Sequence, residues 1–141
     1  MSVVAQHKKE EKMKKQIINP WQWQNERSYV QAVEVTRPES TLYISGQTAI
    51  DPDGKSSTSD MKTQLIQSIE NLEKVIKEAG YECENIVRLT MYTTSSKELF
   101  TCFDVFQNWV TEHNMQQAST LLEVQSLFET LKVELEATVV K

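Results

Sequence analysis

Two histidines, two cysteines and three glycines are all that this 141-residue chain contains, and each shortage excludes a class of chemistry. His113 comes at the end of a predicted helix with only His7 as company, so no His-based metal site is expected. Cys83 and Cys102 have neither metal-ligand spacing nor a disulfide framework; they read as free thiols in a reducing compartment. The glycines form no Walker loop and no Rossmann set, and no serine stands in a nucleophile elbow. No apolar run approaches a membrane span, and the N-terminus lacks the apolar core of a signal peptide. The expectation is a cytoplasmic protein with no membrane partner, no cofactor and no metal.

Charge is present but uneven. The chain carries a net −5, yet Lys8, Lys9, Lys12, Lys14 and Lys15 outnumber Glu10 and Glu11 in its first 16 residues. Residues 1–16 therefore read as a basic, frayed tail, and 17–141 as a single domain, long enough to bury a core. The remainder is acidic, which argues against a nucleic-acid partner, because phosphate contacts need clustered Lys and Arg.

Along the domain, periodicity places the elements. From Lys132 onward the chain alternates strictly, with Val133, Leu135, Ala137 and Val139 on one face and Lys132, Glu134, Glu136 and Thr138 on the other, the pattern of a half-buried strand. Ser119–Leu127 is another apolar segment, and Phe128, Glu129 and Thr130 supply a turn that would pair the two as a hairpin. Residues 29–35, 42–50 and 86–94 are β-rich, and Gly46 inside the second of these marks either a bulge or a close approach by a ligand or another backbone. Met61, Leu65, Ile69, Leu72, Ile76 and Ala79 make one stripe of a helix over 60–79, capped by Ser59 or Asp60 and ended by Gly80. A capping box at Ser95–Glu98 opens a second helix whose stripe is Leu99, Cys102, Phe103, Phe106 and Val110. The strand–helix–strand order implies parallel pairing across the crossover. Trp21 and Trp23, after Pro20, are expected to pack on the domain or on a neighbouring subunit, the alternative being a base-stacking platform.

The order ββ-α-β-α-ββ describes an α+β domain, a sheet of about six strands with two helices on one face. Nothing in the chain is left to cover the other, partly apolar face, so a homo-oligomer is expected. Tyr29, Ser45, Arg88, Ser119, Glu123, Glu134 and Glu136 are the polar groups of that sheet. Glu134 and Glu136 share one face, about 7 Å apart on strand geometry. Acid–base catalysis by the pair and an ordinary solvated strand face are both consistent with that spacing.

LYISGQTAIDPDGK, the helix ending in KEAG, NIVRLTMYTT, TEHN and LLEVQSL with LKVELEA resemble the Rid (YjgF) family in order and spacing over roughly residues 28–141. The resemblance implies a chorismate-mutase-like fold and a homotrimer with small-molecule clefts between subunits. It also implies imine or enamine deamination, in which an arginine clamps the substrate carboxylate and a glutamate handles the attacking water. That glutamate matches Glu134, and Tyr29, Ser45 and Gly46 also survive. Ser119 stands where the family has the arginine, Leu121 where cysteine is common, Phe103 where asparagine is common and Phe128 where proline is usual. NPWQW, ahead of the first strand, resembles a branch that lacks the arginine. Two readings stay open: hydrolysis of an imine, enamine or related C–N bond with an altered substrate, or non-catalytic ligand binding or interaction on the same trimeric scaffold.

Overall fold

The computed structural model describes residues 12–141. Six strands and three helices follow one another as β1 (Lys14–Ile18), β2 (Ala32–Thr36), β3 (Thr41–Gln47), α1 (Met61–Glu78), β4 (Ile86–Thr93), α2 (Ser96–Thr101), α3 (Phe103–Glu112), β5 (Ala118–Glu123) and β6 (Val133–Val140). The α+β class is as expected, but the strands divide into two sheets. One is a four-stranded sheet in the order β3-β6-β4-β5, the other a ribbon of β1 with β2.

β6 runs through the middle of the large sheet, antiparallel to both β3 and β4. Its alternation is fully used: Val133, Leu135 and Val139 are entirely buried and Ala137 nearly so, all facing the helices. α1 lays Leu65, Ile69, Leu72 and Ile76 on that face, and Leu99, Phe106 and Val110 extend the same core. Asp60 caps α1 by accepting the Thr63 N–H at 2.9 Å. At the other end Gly80 takes φ +79° while the Tyr81 N–H reaches Ile76 O and the Gly80 N–H reaches Lys77 O, a Schellman stop that a Cβ would strain.

Several expectations need correcting. β5 and β6 do not form a hairpin: β5 lies at the sheet edge, parallel to β4, while β6 is inserted between β4 and β3. The turn residues of the intervening loop serve a longer crossing, which the buried Gln64 of α1 holds in place. Its Nε2 donates to Ser59 O (3.0 Å) and Thr130 O (3.2 Å), and its Oε1 accepts the Lys132 N–H at 2.8 Å. Gln64→Leu fills the same space but leaves the Lys132 N–H and two carbonyls without these partners. It is expected to lower the unfolding free energy by about 1–3 kcal/mol in urea denaturation.

The crossover from β3 through α1 does give parallel strands, but β6 separates β3 from β4. The second helix is two. Cys102 leaves the helical region at φ −125°, ψ 21°, and Thr101 Oγ1 donates back to Glu98 O at 2.6 Å, a local bond that competes with the helix ladder. Ser95 caps α2 by accepting the Glu98 N–H at 3.2 Å, but its own N–H goes to Thr93 Oγ1, so only half of the capping box forms.

At the N-terminal end, β1 starts at Lys14, inside the segment expected to be a tail; residues 1–11 of that segment lie outside the described residues. β1 pairs β2 along its whole length, from Lys14 opposite Thr36 to Ile18 opposite Ala32. β2 turns away from the large sheet after a single parallel bridge, Val30 with Ala118. Among the described residues no helix is long and apolar enough to cross a membrane.

Candidate functional site

Register decides which polar groups can meet. β4 and β5 pair with Leu89 opposite Ser119 and Met91 opposite Leu121, so Ser119 and Leu121 share the helix-facing side of the sheet. There, at the β5 edge, a cavity of about 510 Å³ opens between the sheet, α2–α3 and the 3-10 helix Trp23–Arg27. Tyr29, Phe103, Ser119 and Leu121, four of the seven candidate residues, line it together. Phe100, Phe106, Leu89 and Met91 make most of its remaining wall apolar.

Ser45, Gly46 and Glu134 are not part of that wall. Glu134 pairs with Tyr92 and Glu136 with Thr90, so both carboxylates point from the opposite face of the sheet. The bulge reading of Gly46 holds, since the β3–β6 register shifts between Ile44 and Gln47; what approaches it closely is neither a ligand nor a backbone but a side chain, for a Cβ on Gly46 would come within 2.8 Å of Glu134 Cγ. Glycine thus leaves the Glu134 arm room to lie across β3. Burial holds the Glu134 carboxyl above its ordinary range, and the Glu136 charge adds to it. Glu136 accepts a hydrogen bond from Tyr92 Oη at 3.1 Å, which in turn raises the Tyr92 phenol.

Arg88 does not replace the arginine missing at position 119. Its guanidinium donates to Thr120 Oγ1 at 2.7 Å, and Thr120 alternates with Ser119, placing that bond on the Glu134 side. The cation that does reach the cavity is Arg27, from the 3-10 helix ahead of β2. Its guanidinium sits 4.9 Å over the Trp23 ring, which in turn meets Tyr29 edge-on at 6.4 Å and stacks with Trp21 at 6.2 Å. Trp21 and Trp23 remain 56% and 49% exposed within one chain, outside the cavity wall but joined to it through Arg27 and Tyr29. Sequence reasoning missed Arg27 because it sought a cation on the sheet; the Trp23–Arg27 spacing, one helical turn, was the available signal.

The sequence pattern of the endoribonuclease L-PSP family matches residues 22–141. The chain belongs to this family, the Rid or YjgF family. A RutC family protein of Aquifex aeolicus is 33% identical over 80% of this chain and 88% of its own length. A 2-iminobutanoate/2-iminopropanoate deaminase of Salmonella typhimurium is 31% identical over 80% and 87%. Among solved structures, the Rid protein YyfB of Yersinia pestis superposes with a TM-score of 0.80 at 27% identity, covering 90% of this chain and 98% of that one. Escherichia coli TdcF with bound serine gives a TM-score of 0.67 at 26% identity, over 80% and 87%. Both structural likenesses support the Rid fold for this chain.

Proposed function

We propose that this Rid protein is a homotrimer that hydrolyses the C–N bond of a small imine or enamine in a cleft shared between subunits. The observation that carries the reading is the Glu134 carboxyl, lying over Gly46 with its proton affinity raised by burial and by Glu136. Such a group is tuned toward neutral pH for proton transfer. Support also comes from the relatives named as 2-iminobutanoate/2-iminopropanoate deaminases and from the serine in TdcF.

In this scheme ionised Glu134 takes a proton from water as the oxygen adds to the imine carbon. The C=N π pair moves to nitrogen, which is protonated. The carbinolamine then collapses to a carbonyl with release of ammonia. The Tyr29–Ser119 cavity and Glu134 lie on opposite faces of one sheet, so a single chain cannot close this site. The exposed face that carries Tyr43 (80% exposed), Ser45 and Glu134 needs a cover, and the cavity edge of a second copy meets both requirements. A monomer in analytical ultracentrifugation would leave the two halves apart and sink the proposal.

Glu134→Gln keeps the shape and removes the charge. Turnover of an imine generated in situ is expected to fall at least tenfold; unchanged turnover would show that Glu134 is not the proton acceptor. Stability should move the other way. A carboxyl whose pKa is raised by folding favours the folded state below the ordinary glutamate range, and that contribution is lost as pH rises through the raised value. Glu134→Gln is therefore expected to melt above the wild type at neutral pH and level with it at acid pH, as read by calorimetry at several pH values. The substitutions at positions 103, 119 and 121, which line the cavity with Phe103, Ser119 and Leu121, favour one other reading: a binding protein that keeps the trimer without turnover.

A further inference from the structure

On the helix side, away from the cavity, three dissimilar donors converge from distant points of the chain. Glu73 comes from the middle of α1, Cys83 opens the 3-10 turn that leads into β4, and His113 caps the end of α3. Their ligand atoms all lie within 4.8 Å of one another, and Glu73 Oε2 is already 3.2 Å from His113 Nε2. We propose that Glu73, Cys83 and His113 form a site for a borderline-soft divalent cation such as Zn²⁺, with water as the fourth ligand.

The donor set is the first argument. Thiolate, imidazole and carboxylate together suit Zn²⁺ or Co²⁺, and are poorly matched to Mg²⁺ or Ca²⁺, which prefer oxygen throughout. Ordinary tetrahedral bond lengths to sulfur, nitrogen and oxygen bring such donors to roughly 3.3–3.7 Å from one another, so the group must draw in by about 1 Å. It can do so, because the Glu73 and His113 side chains are only partly buried and can shift rotamer, while Cys83 is buried and fixed. The same half-exposure provides an entry path and room for water.

The His113 backbone is held in place. Its N–H bonds Trp109 O at 3.2 Å, and the imidazole stands edge-on to the Trp109 indole at 6.2 Å. Without a metal the arrangement is a Glu–His tie between two helices beside a neutral thiol, since burial and the charges of Glu73 and Glu82 push Cys83 up to about 11. Those same negative charges favour a cation, whose approach reverses the balance at sulfur: the S–H proton leaves to solvent as the metal–sulfur bond forms. The expectation of no metal site rested on histidine pairing and on cysteine spacing along the chain; this set takes one histidine and one cysteine, joined by a carboxylate.

The test is titration of the full, chelator-stripped chain with Co²⁺, followed by its absorption, and with Zn²⁺, followed by calorimetry. One ion per chain is expected, with a thiolate-to-cobalt charge-transfer band in the near ultraviolet. Cys83→Ala should remove that band. His113→Gln and Glu73→Gln, at partly exposed positions that do not threaten folding, should each weaken Zn²⁺ binding at least tenfold, whereas His7→Gln should not. A wild type without the band, or Zn²⁺ affinity unchanged in His113→Gln and Glu73→Gln, would overturn the site.

Discussion

Leu135→Ala is expected to lower the unfolding free energy by about 2–5 kcal/mol, and the melting temperature by roughly 10 °C for a chain of this size. Leu135 is fully buried in β6, and β6 is itself an interior strand of the large sheet, paired on both sides. Its side chain is enclosed by the β3 and β4 strands that flank it and by the helix layer above, so little of the lost volume can be refilled by collapse. Ile66→Ala on α1, where the side chain is 38% exposed, should cost about half as much or less, because more than a third of its surface is already in water and an open site leaves no enclosed cavity. Urea and thermal unfolding at one fixed protein concentration measure both, a condition that matters for an oligomer. Equal losses in the two variants would mean that β6 is not the organising strand.

That the last strand organises the sheet was legible from its sequence, because strict alternation over eight residues fits a strand's period of two and defeats a helix's 3.6. The α1 stripe and its two ends were legible for the same reason: Asp60 and Gly80 each meet a local requirement that neighbouring residues cannot. What the sequence concealed was non-local. Nothing in Ser119–Leu127 or Val133–Val140 says that β4 and β6 will pair while β5 is left at the edge; that choice rests on the α1 face and on Gln64 reaching across to Thr130 and Lys132. β1 was hidden because Lys14-Lys15-Gln16 reads as solvated chain until β2 is there to pair with it. The candidate site divided along the same line. Tyr29, Phe103, Ser119 and Leu121 were found through resemblance and converge in one cavity, but their separation from Gly46 and Glu134 by the thickness of the sheet follows only from register. Arg27 lies ahead of the first expected strand, where no cation was sought. The Glu73–Cys83–His113 cluster draws one donor from each of three distant segments, so no spacing in the chain betrays it.

Ser119→Arg is the second large effect, and it asks what the cavity recognises. A guanidinium at position 119 would enter a largely apolar pocket that now offers a hydroxyl, with Gln117 Nε2 its neighbour at 3.3 Å. A bidentate arginine–carboxylate pair supplies two charge-assisted hydrogen bonds, each contributing about 1.5–3 kcal/mol. Ser119→Arg is therefore expected to raise kcat/KM for a 2-imino acid, generated in situ by an amino-acid oxidase, by about a hundredfold over the wild type. Among the residues lining the cavity, Arg27 is the one cation the wild type provides, and stacking on the Trp23 face holds its guanidinium beside the cavity without using its in-plane N–H donors. Arg27→Gln should consequently reduce the slow wild-type reaction about tenfold, the worth of one charge-assisted bond at the low end of that range, yet leave Ser119→Arg within a few-fold of its own rate. The two arginines can then be told apart. If wild-type turnover already equals that of Ser119→Arg and collapses in Arg27→Gln, the carboxylate clamp has moved from β5 to the 3-10 helix, and the substrate remains a 2-imino acid. If Ser119→Arg gains its hundredfold and Arg27→Gln changes nothing, the native ligand lacks the carboxylate, and the apolar wall of Phe100, Phe103 and Leu121 is what selects it. If Ser119→Arg gains nothing, the cleft no longer supports hydrolysis, and the same wall belongs to a binding protein.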